Sequence, residues 1–168
     1  MSINFSVAKC QNTSDKKLFG LCDDPHPARN PAYIDETNGA KWIAVVVNEG
    51  RYKATFTSVD NCIEIKKQTN QMASRCDGIL FYKTTAIFVE LKERGAKGSG
   101  WVKDAESQLR STIGYFEASK EADNYIRKKA YIANSEHPKF KESQTRRMNQ
   151  FLLDTGYVLR IENRIILN

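Results

Sequence analysis

The amino-acid sequence predicts an α/β fold, a mixed β-sheet flanked by helices with an additional N-terminal loop and hairpin region, and three observations carry that reading. Two apolar runs, 77–82 and 86–91, are joined by the short polar link Lys83-Thr84-Thr85 and read as paired strands. The segment after them places Val102, Ala105, Leu109, Ile113 and Phe116 at intervals of three and four, the period of an amphipathic helix. The chain then returns to a buried strand at 129–133 and to a second helix at 143–154, which Gly156 ends.

The remaining elements follow from local chemistry. From Met1 to about Gly39 the chain is turn-rich, and Asp23-Asp24-Pro25-His26-Pro27 and Asn30-Pro31 break any regular period, so 1–39 is expected to be an irregular arm. Residues 40–168 then form the α/β core of a single domain, 1–168. The runs 42–47 and 52–57 are rich in β-branched and aromatic residues and flank Asn48-Glu49-Gly50-Arg51, which reads as a hairpin turn. Between Ser58 and Arg75 no period dominates, because Ile63 and Ile65 alternate with charged residues while a helical turn fits as well. The last segments, 157–161 and 164–167, read as a terminal hairpin, and no internal repeat appears.

Composition narrows the class. A chain of 168 residues with 40% hydrophobic and 27% charged content buries one core, and no apolar run approaches the length of a membrane span. The N-terminus has neither a basic nor an apolar leader region, so cytoplasmic residence and no membrane partner are expected. Four cysteines, Cys10, Cys22, Cys62 and Cys76, form no Cys-x-x-Cys pair and are read as free thiols; Cys10, Cys22 and His26 have the spacing of no common zinc site. A net charge of +6 and a pI near 9.1 favour a polyanionic partner without establishing one.

The chemistry concentrates on the central pair of strands. Side chains alternate along a strand, so Glu90 and Lys92 share one face while Val89 and Leu91 point to the other. Asp77 opens the neighbouring strand and falls within one cation's reach of Glu90. Two carboxylates, with the Leu91 carbonyl as a third oxygen, suit a hard divalent ion, Mg2+ or Mn2+, and Lys92 beside it suits orientation of an attacking water and charge compensation at phosphorus. The bland alternative is a solvated strand face with a same-side ion pair. Against it stands the apolar character of both faces of 86–91, which predicts a buried central strand where such charges are costly. Asp77 read blandly is a turn residue before Gly78.

Arg75-Cys76-Asp77-Gly78 followed by Ile87-Phe88-Val89-Glu90-Leu91-Lys92 resembles the paired motif of the PD-(D/E)XK nuclease superfamily, with Cys76 where the family has proline. A glutamine on the following helix, Gln108, is a further similarity, and the likeness spans 74–116. The resemblance implies a restriction-endonuclease-like fold and Mg2+- or Mn2+-dependent cleavage of DNA. Asp77, Glu90, Lys92 and Gln108 would be catalytic, and Asp77, Glu90 and Leu91 would be metal ligands. An upstream acid is implied as well; Glu64 and Asp60 compete for it, and Glu64 is preferred.

Phosphate contacts are expected from Arg94, Lys97, Lys103 and Arg110, and a second basic concentration gathers Lys128, Lys129, Lys139, Lys141, Arg146 and Arg147. The Gly95–Gly100 loop lacks the glycine, lysine and hydroxyl order of a nucleotide-binding P-loop. Two other classes remain in view: a nucleic-acid-binding module without turnover, and an interaction subunit of a larger nuclease or defence assembly. A homodimer presenting two sites to two strands, or a protein partner, is compatible with each.

Overall fold

The computed structural model describes residues 3–25, 27–93, 100–135 and 144–168. In chain order the strands are β1 (Gln11–Ser14), β2 (Leu18–Cys22), β3 (Tyr33–Asp35), β4 (Ala44–Val47), β5 (Ala54–Ser58), β6 (Gly78–Tyr82), β7 (Thr85–Lys92), β8 (Arg127–Asn134), β9 (Val158–Ile161) and β10 (Arg164–Ile166). The helices are α1 (Gly100–Glu117), between β7 and β8, and α2 (Thr145–Thr155), between β8 and β9. The fold is mixed α/β, as the alternation of strand and helix periods predicts.

Two sheets organise it. A six-stranded sheet runs β1-β5-β6-β7-β8-β9; its first pairings, through β6–β7, are antiparallel, and β7–β8 and β8–β9 are parallel. The parallel β7–β8 step needs a long crossover, which α1 supplies, covering the sheet with Val102, Ala105, Leu109, Ile113 and Phe116 buried. A four-stranded sheet, β10-β4-β2-β3, packs on the opposite face. Residues of β6 and β7 accordingly divide by parity. Ile79, Phe81, Ala86 and Phe88 join the core under α1, while Leu80, Tyr82, Ile87, Val89 and Leu91 join the core between the sheets. Buried on both faces, β7 is the central strand that its apolar run predicts.

The structure corrects several sequence expectations. The 1–39 arm is not irregular, because it contributes β1 to one sheet and β2 and β3 to the other. The segments 42–47 and 52–57 do not pair as a hairpin: β4 and β5 lie in different sheets, and the intervening turn is a corner. Asn48 holds that corner, its amide donating to the Tyr52 carbonyl and its side-chain oxygen accepting from the Tyr52 N–H. The C-terminal strands divide likewise, β9 joining β8 and β10 joining β4, so the expected terminal hairpin is absent. Each correction has one cause. Local pattern reports that a segment is extended, whereas a short polar turn serves a sheet-to-sheet corner as readily as a hairpin.

Cys10 and Cys62 are joined in a disulfide, while Cys22 and Cys76 are buried free thiols, so the expectation of four thiols is also corrected. The pairing of Gln11 with Thr57 brings residues far apart in sequence together, and the turn after Ser58 carries Cys62 back against Cys10. With that bridge present, the cysteine pattern no longer argues for a reducing compartment. Among the described residues no helix is long and apolar enough to cross a membrane.

The disulfide closes a separation of 52 residues. Loop-closure entropy predicts that reduction, or Cys62→Ser, costs about 2–4 kcal/mol in urea unfolding. Alkylation of the unfolded, non-reduced chain should label only Cys22 and Cys76, and labelling of all four cysteines would contradict the pairing.

Candidate metal centre

The centre is built by strand register. Gly78 of β6 pairs with Val89 of β7, so the next residue back, Asp77, falls beside Glu90 where the ladder ends. Glycine is required at 78 because a Cβ there would lie 2.2 Å from the Phe56 ring and 2.8 Å from the Thr57 carbonyl oxygen. The Asp-Gly dipeptide therefore starts a strand against a close neighbour and does not form a turn.

Asp77 and Glu90 are locked reciprocally. The Asp77 N–H donates to Glu90 Oε1 at 3.1 Å, and the Leu91 N–H donates to Asp77 Oδ2 at 2.7 Å. The two carboxyl groups are themselves in hydrogen-bond contact. Since the N–H and C=O of a strand residue point to the same side, the Leu91 carbonyl faces the edge that Asp77 occupies. The pair is 7% and 2% exposed, respectively. Burial pushes Asp77 well above the usual carboxylate range, and the charges of Glu90 and Asp23 push it in the same direction. Burial likewise raises Glu90, to about 7, although Lys92 draws it down. Cys76, directly before Asp77, is a fully buried thiol raised by desolvation and by Glu90, and its backbone N–H donates to the Thr112 hydroxyl.

Lys92 lies on the same face two residues on. Its Nζ is 3.1 Å from Glu90 Oε2 and donates to Gln108 Oε1 at 3.1 Å. Gln108 projects from α1, and its amide reaches the Arg75 carbonyl at 3.4 Å. Helix α1 is tied to the same stretch by Thr112, which hydrogen-bonds both Gln108 and Cys76. Asp77, Glu90, Lys92 and Gln108 thus gather in one place, as the sequence predicts.

Beside Lys92 opens a cleft of about 480 Å³ lined by Asp23, Asp24, Asp60, Asn61, Lys92 and Glu93, with Pro25, Ala28 and Ile43. Glu64, the preferred upstream acid, stays outside it. It is exposed and ion-paired to Lys66 at 2.9 Å, which holds its carboxyl below the ordinary range. Asp60 borders the cleft instead, because the backbone after β5 bonds back to Cys76 and Asp77; its carboxylate pairs with Arg75 at 3.2 Å. Asp23 was not anticipated. It follows β2, and the signal was present in an Asp-Asp pair directly after the apolar run 18–22, a segment whose prolines read as loop. Among the described residues no three of His, Cys, Asp or Glu form a compact ligand cluster. The groups that could hold a cation here are the two carboxylates and the Leu91 main-chain carbonyl.

The expected phosphate contacts separate. Arg94, Lys97, Lys139 and Lys141 lie outside the described residues, and so does His26. Lys103 is exposed on α1. Arg110 bridges Glu106 and Asp154 and covers the Phe151 ring, so it fastens α1 to α2. Of the described members of the second basic concentration, Arg147 pairs with Glu106 and Lys128 with Glu117.

No protein-family model, curated protein or solved structure matches the chain. Its own side chains carry the functional assignment.

The buried pair has a thermodynamic signature. With carboxyls raised in the folded state, the native protein retains protons that the unfolded chain has lost between about pH 4 and the raised values. Metal-free stability should therefore fall as pH rises from about 4 through 7 and should gain nothing from this pair below that window. Asp77→Asn, which keeps an acceptor for Leu91 and an amide for Glu90, should raise metal-free stability at pH 8 by on the order of 1–3 kcal/mol. Destabilisation by that substitution in urea unfolding at pH 8 would contradict the electrostatic account.

Proposed function

We propose that this chain is a divalent-metal-dependent nuclease that hydrolyses the phosphodiester bonds of DNA, with the restriction-endonuclease-like fold that its paired motif implies. The observation that carries the reading is the burial of Asp77 against Glu90 with the Lys92 ammonium alongside. Two desolvated like charges in contact are costly unless a proton or a cation lies between them. The donor set fits Mg2+ or Mn2+: all oxygens, few protein ligands, and room in the adjoining cleft for water and a phosphate.

Asp77, Glu90 and the Leu91 carbonyl would hold the ion, which when bound would supply polarisation of a phosphoryl oxygen and acidification of a water. The two backbone N–H bonds fix the carboxylates' angles before any substrate arrives. Lys92 Nζ, oriented by Gln108, donates to the attacking water or to a non-bridging phosphoryl oxygen, offsetting charge that develops there. Gln108 acts through Lys92 and is a positioning residue.

The cleft sharpens the expectation. Its described lining carries Asp23, Asp24, Asp60 and Glu93 against Lys92, a sign that repels a bare phosphodiester. Productive binding at this cleft accordingly needs the cation first.

Plasmid incubated with Mg2+ or Mn2+ should be nicked or linearised, and EDTA or Asp77→Ala should abolish cleavage. Lys92→Ala should lower the rate by roughly 10²- to 10⁴-fold without weakening Mn2+ binding. Cleavage that persists in EDTA and in both variants would refute the mechanism.

A further inference from the structure

A different set of cations occupies the other face of the large sheet. Arg127, Lys129 and Tyr131 alternate along β8 on the side away from α1, since Ala130 and Ile132 belong to the core under that helix. On β9, Arg160 pairs in register with Tyr131 and Val158 with Lys129, so Arg160 joins the same face. Lys83, at the β6–β7 turn, stands across a cavity of about 330 Å³ from Arg127. Arg127, Arg160 and Lys83 are exposed and Lys129 is half-buried.

None of Arg127, Lys129 and Arg160 has an ion-pair partner among the described residues, whereas Lys128, on the opposite face, pairs with Glu117. The neighbouring acid is Glu162, whose charge Tyr131 feels together with that of Arg160. Lys129 is held below its ordinary value by desolvation and by Arg127 and Arg160, a mutual repulsion that an external anion would relieve.

We propose that Arg127, Lys129 and Arg160, with Lys83 at their margin, form a binding surface for the phosphodiester backbone of a nucleic acid, separate from the metal centre. Same-face neighbours on a strand repeat every 6–7 Å or so, a linear array of cations suited to a polyanionic strand. Two of the three are arginines, whose planar fork engages phosphate through paired hydrogen bonds. Val158, the aliphatic residue that shares this face beside Lys129, is only half-exposed, so the surface lacks the apolar centre that an acidic protein partner would bury. The site also lies apart from the chemistry. Arg127 sits beside Thr85, five residues and about 17 Å along β7 from Glu90, and on the opposite face of the sheet. It grips backbone remote from the scissile bond, carrying the attraction that the acidic cleft lacks. As a role in substrate holding it rests on the nuclease reading; as a nucleic-acid surface it does not.

The test is binding to a fluorescent 30-base-pair duplex in EDTA, where no cleavage occurs, across a range of salt. Wild-type protein should bind with a slope of log affinity on log salt that falls by about 1 for each cation removed. Arg127→Gln/Arg160→Gln, both at exposed positions, and the triple variant with Lys129→Gln should weaken binding by tenfold or more, while Lys9→Gln/Lys67→Gln/Lys120→Gln should change it little. Unchanged affinity and slope in the folded double variant would overturn the proposal. So would equal losses in both charge-matched sets, or wild-type binding confined to anionic vesicles or acidic peptides. Failure to cleave any substrate, with duplex binding still lost in the double variant, would sink the nuclease reading and leave this surface standing.

Discussion

Asp77 and Glu90 are forced together by backbone register, and the rest of the site depends on that enforced contact. The antiparallel β6–β7 ladder ends where the two carboxyls meet, and each side chain accepts a main-chain N–H from the other's neighbourhood. Neither can swing away without leaving a buried amide unpaired, a cost of about 1–3 kcal/mol. The Phe56 ring packs so closely on Gly78 that no larger residue fits where β6 begins. Two acids held this way out of water are a poor contribution to stability, and a divalent ion bound between them would turn the same arrangement into a favourable one.

Around that contact the molecule divides its labour by layer. Under α1, the chain of Lys92, Gln108 and the Arg75 carbonyl sets a single ammonium beside the acids, and Thr112 ties the helix to the strand that carries them. From the smaller sheet, the segment after β2 brings Asp23 and Asp24 to the cleft, so the N-terminal region completes the wall of a site whose motif lies elsewhere. Among the described residues, Arg127, Lys129 and Arg160 lie on β8 and β9, on the face of the large sheet opposite Glu90 and Lys92. The proposed attraction for a polyanion and the proposed site of chemistry thus fall on different faces of one sheet.

The most legible parts of this structure were those governed by short-range periodicity. The parity of 77–92 placed Glu90 and Lys92 together and Val89 and Leu91 in the other layer, and the three-four spacing of 102–116 gave the helix that covers the sheet, whereas Gln108 was implied only by the resemblance and lies against Lys92. What local pattern does not encode is which extended segment pairs with which. For that reason the strands flanking Asn48 and those flanking 162–163 read as hairpins although each pair is split between sheets. The same blindness hid the Cys10–Cys62 bridge and the approach of Asp23, because both follow from β1–β5 and β2–β4 pairing across long stretches of chain. Glu64 was favoured over Asp60 in a segment with no period, where no physical rule distinguished them.

The proposed metal centre requires that Asp77, Glu90 and the Leu91 carbonyl hold one hard cation. A crystal soaked in Mn2+ and measured at the manganese absorption edge tests this without any assumption about substrate. An anomalous peak is expected at oxygen-ligand distance, roughly 2.0–2.3 Å, from both carboxylates. No peak there, or a peak confined to the outer acids of the cleft with the two carboxyls still in direct contact, would contradict it.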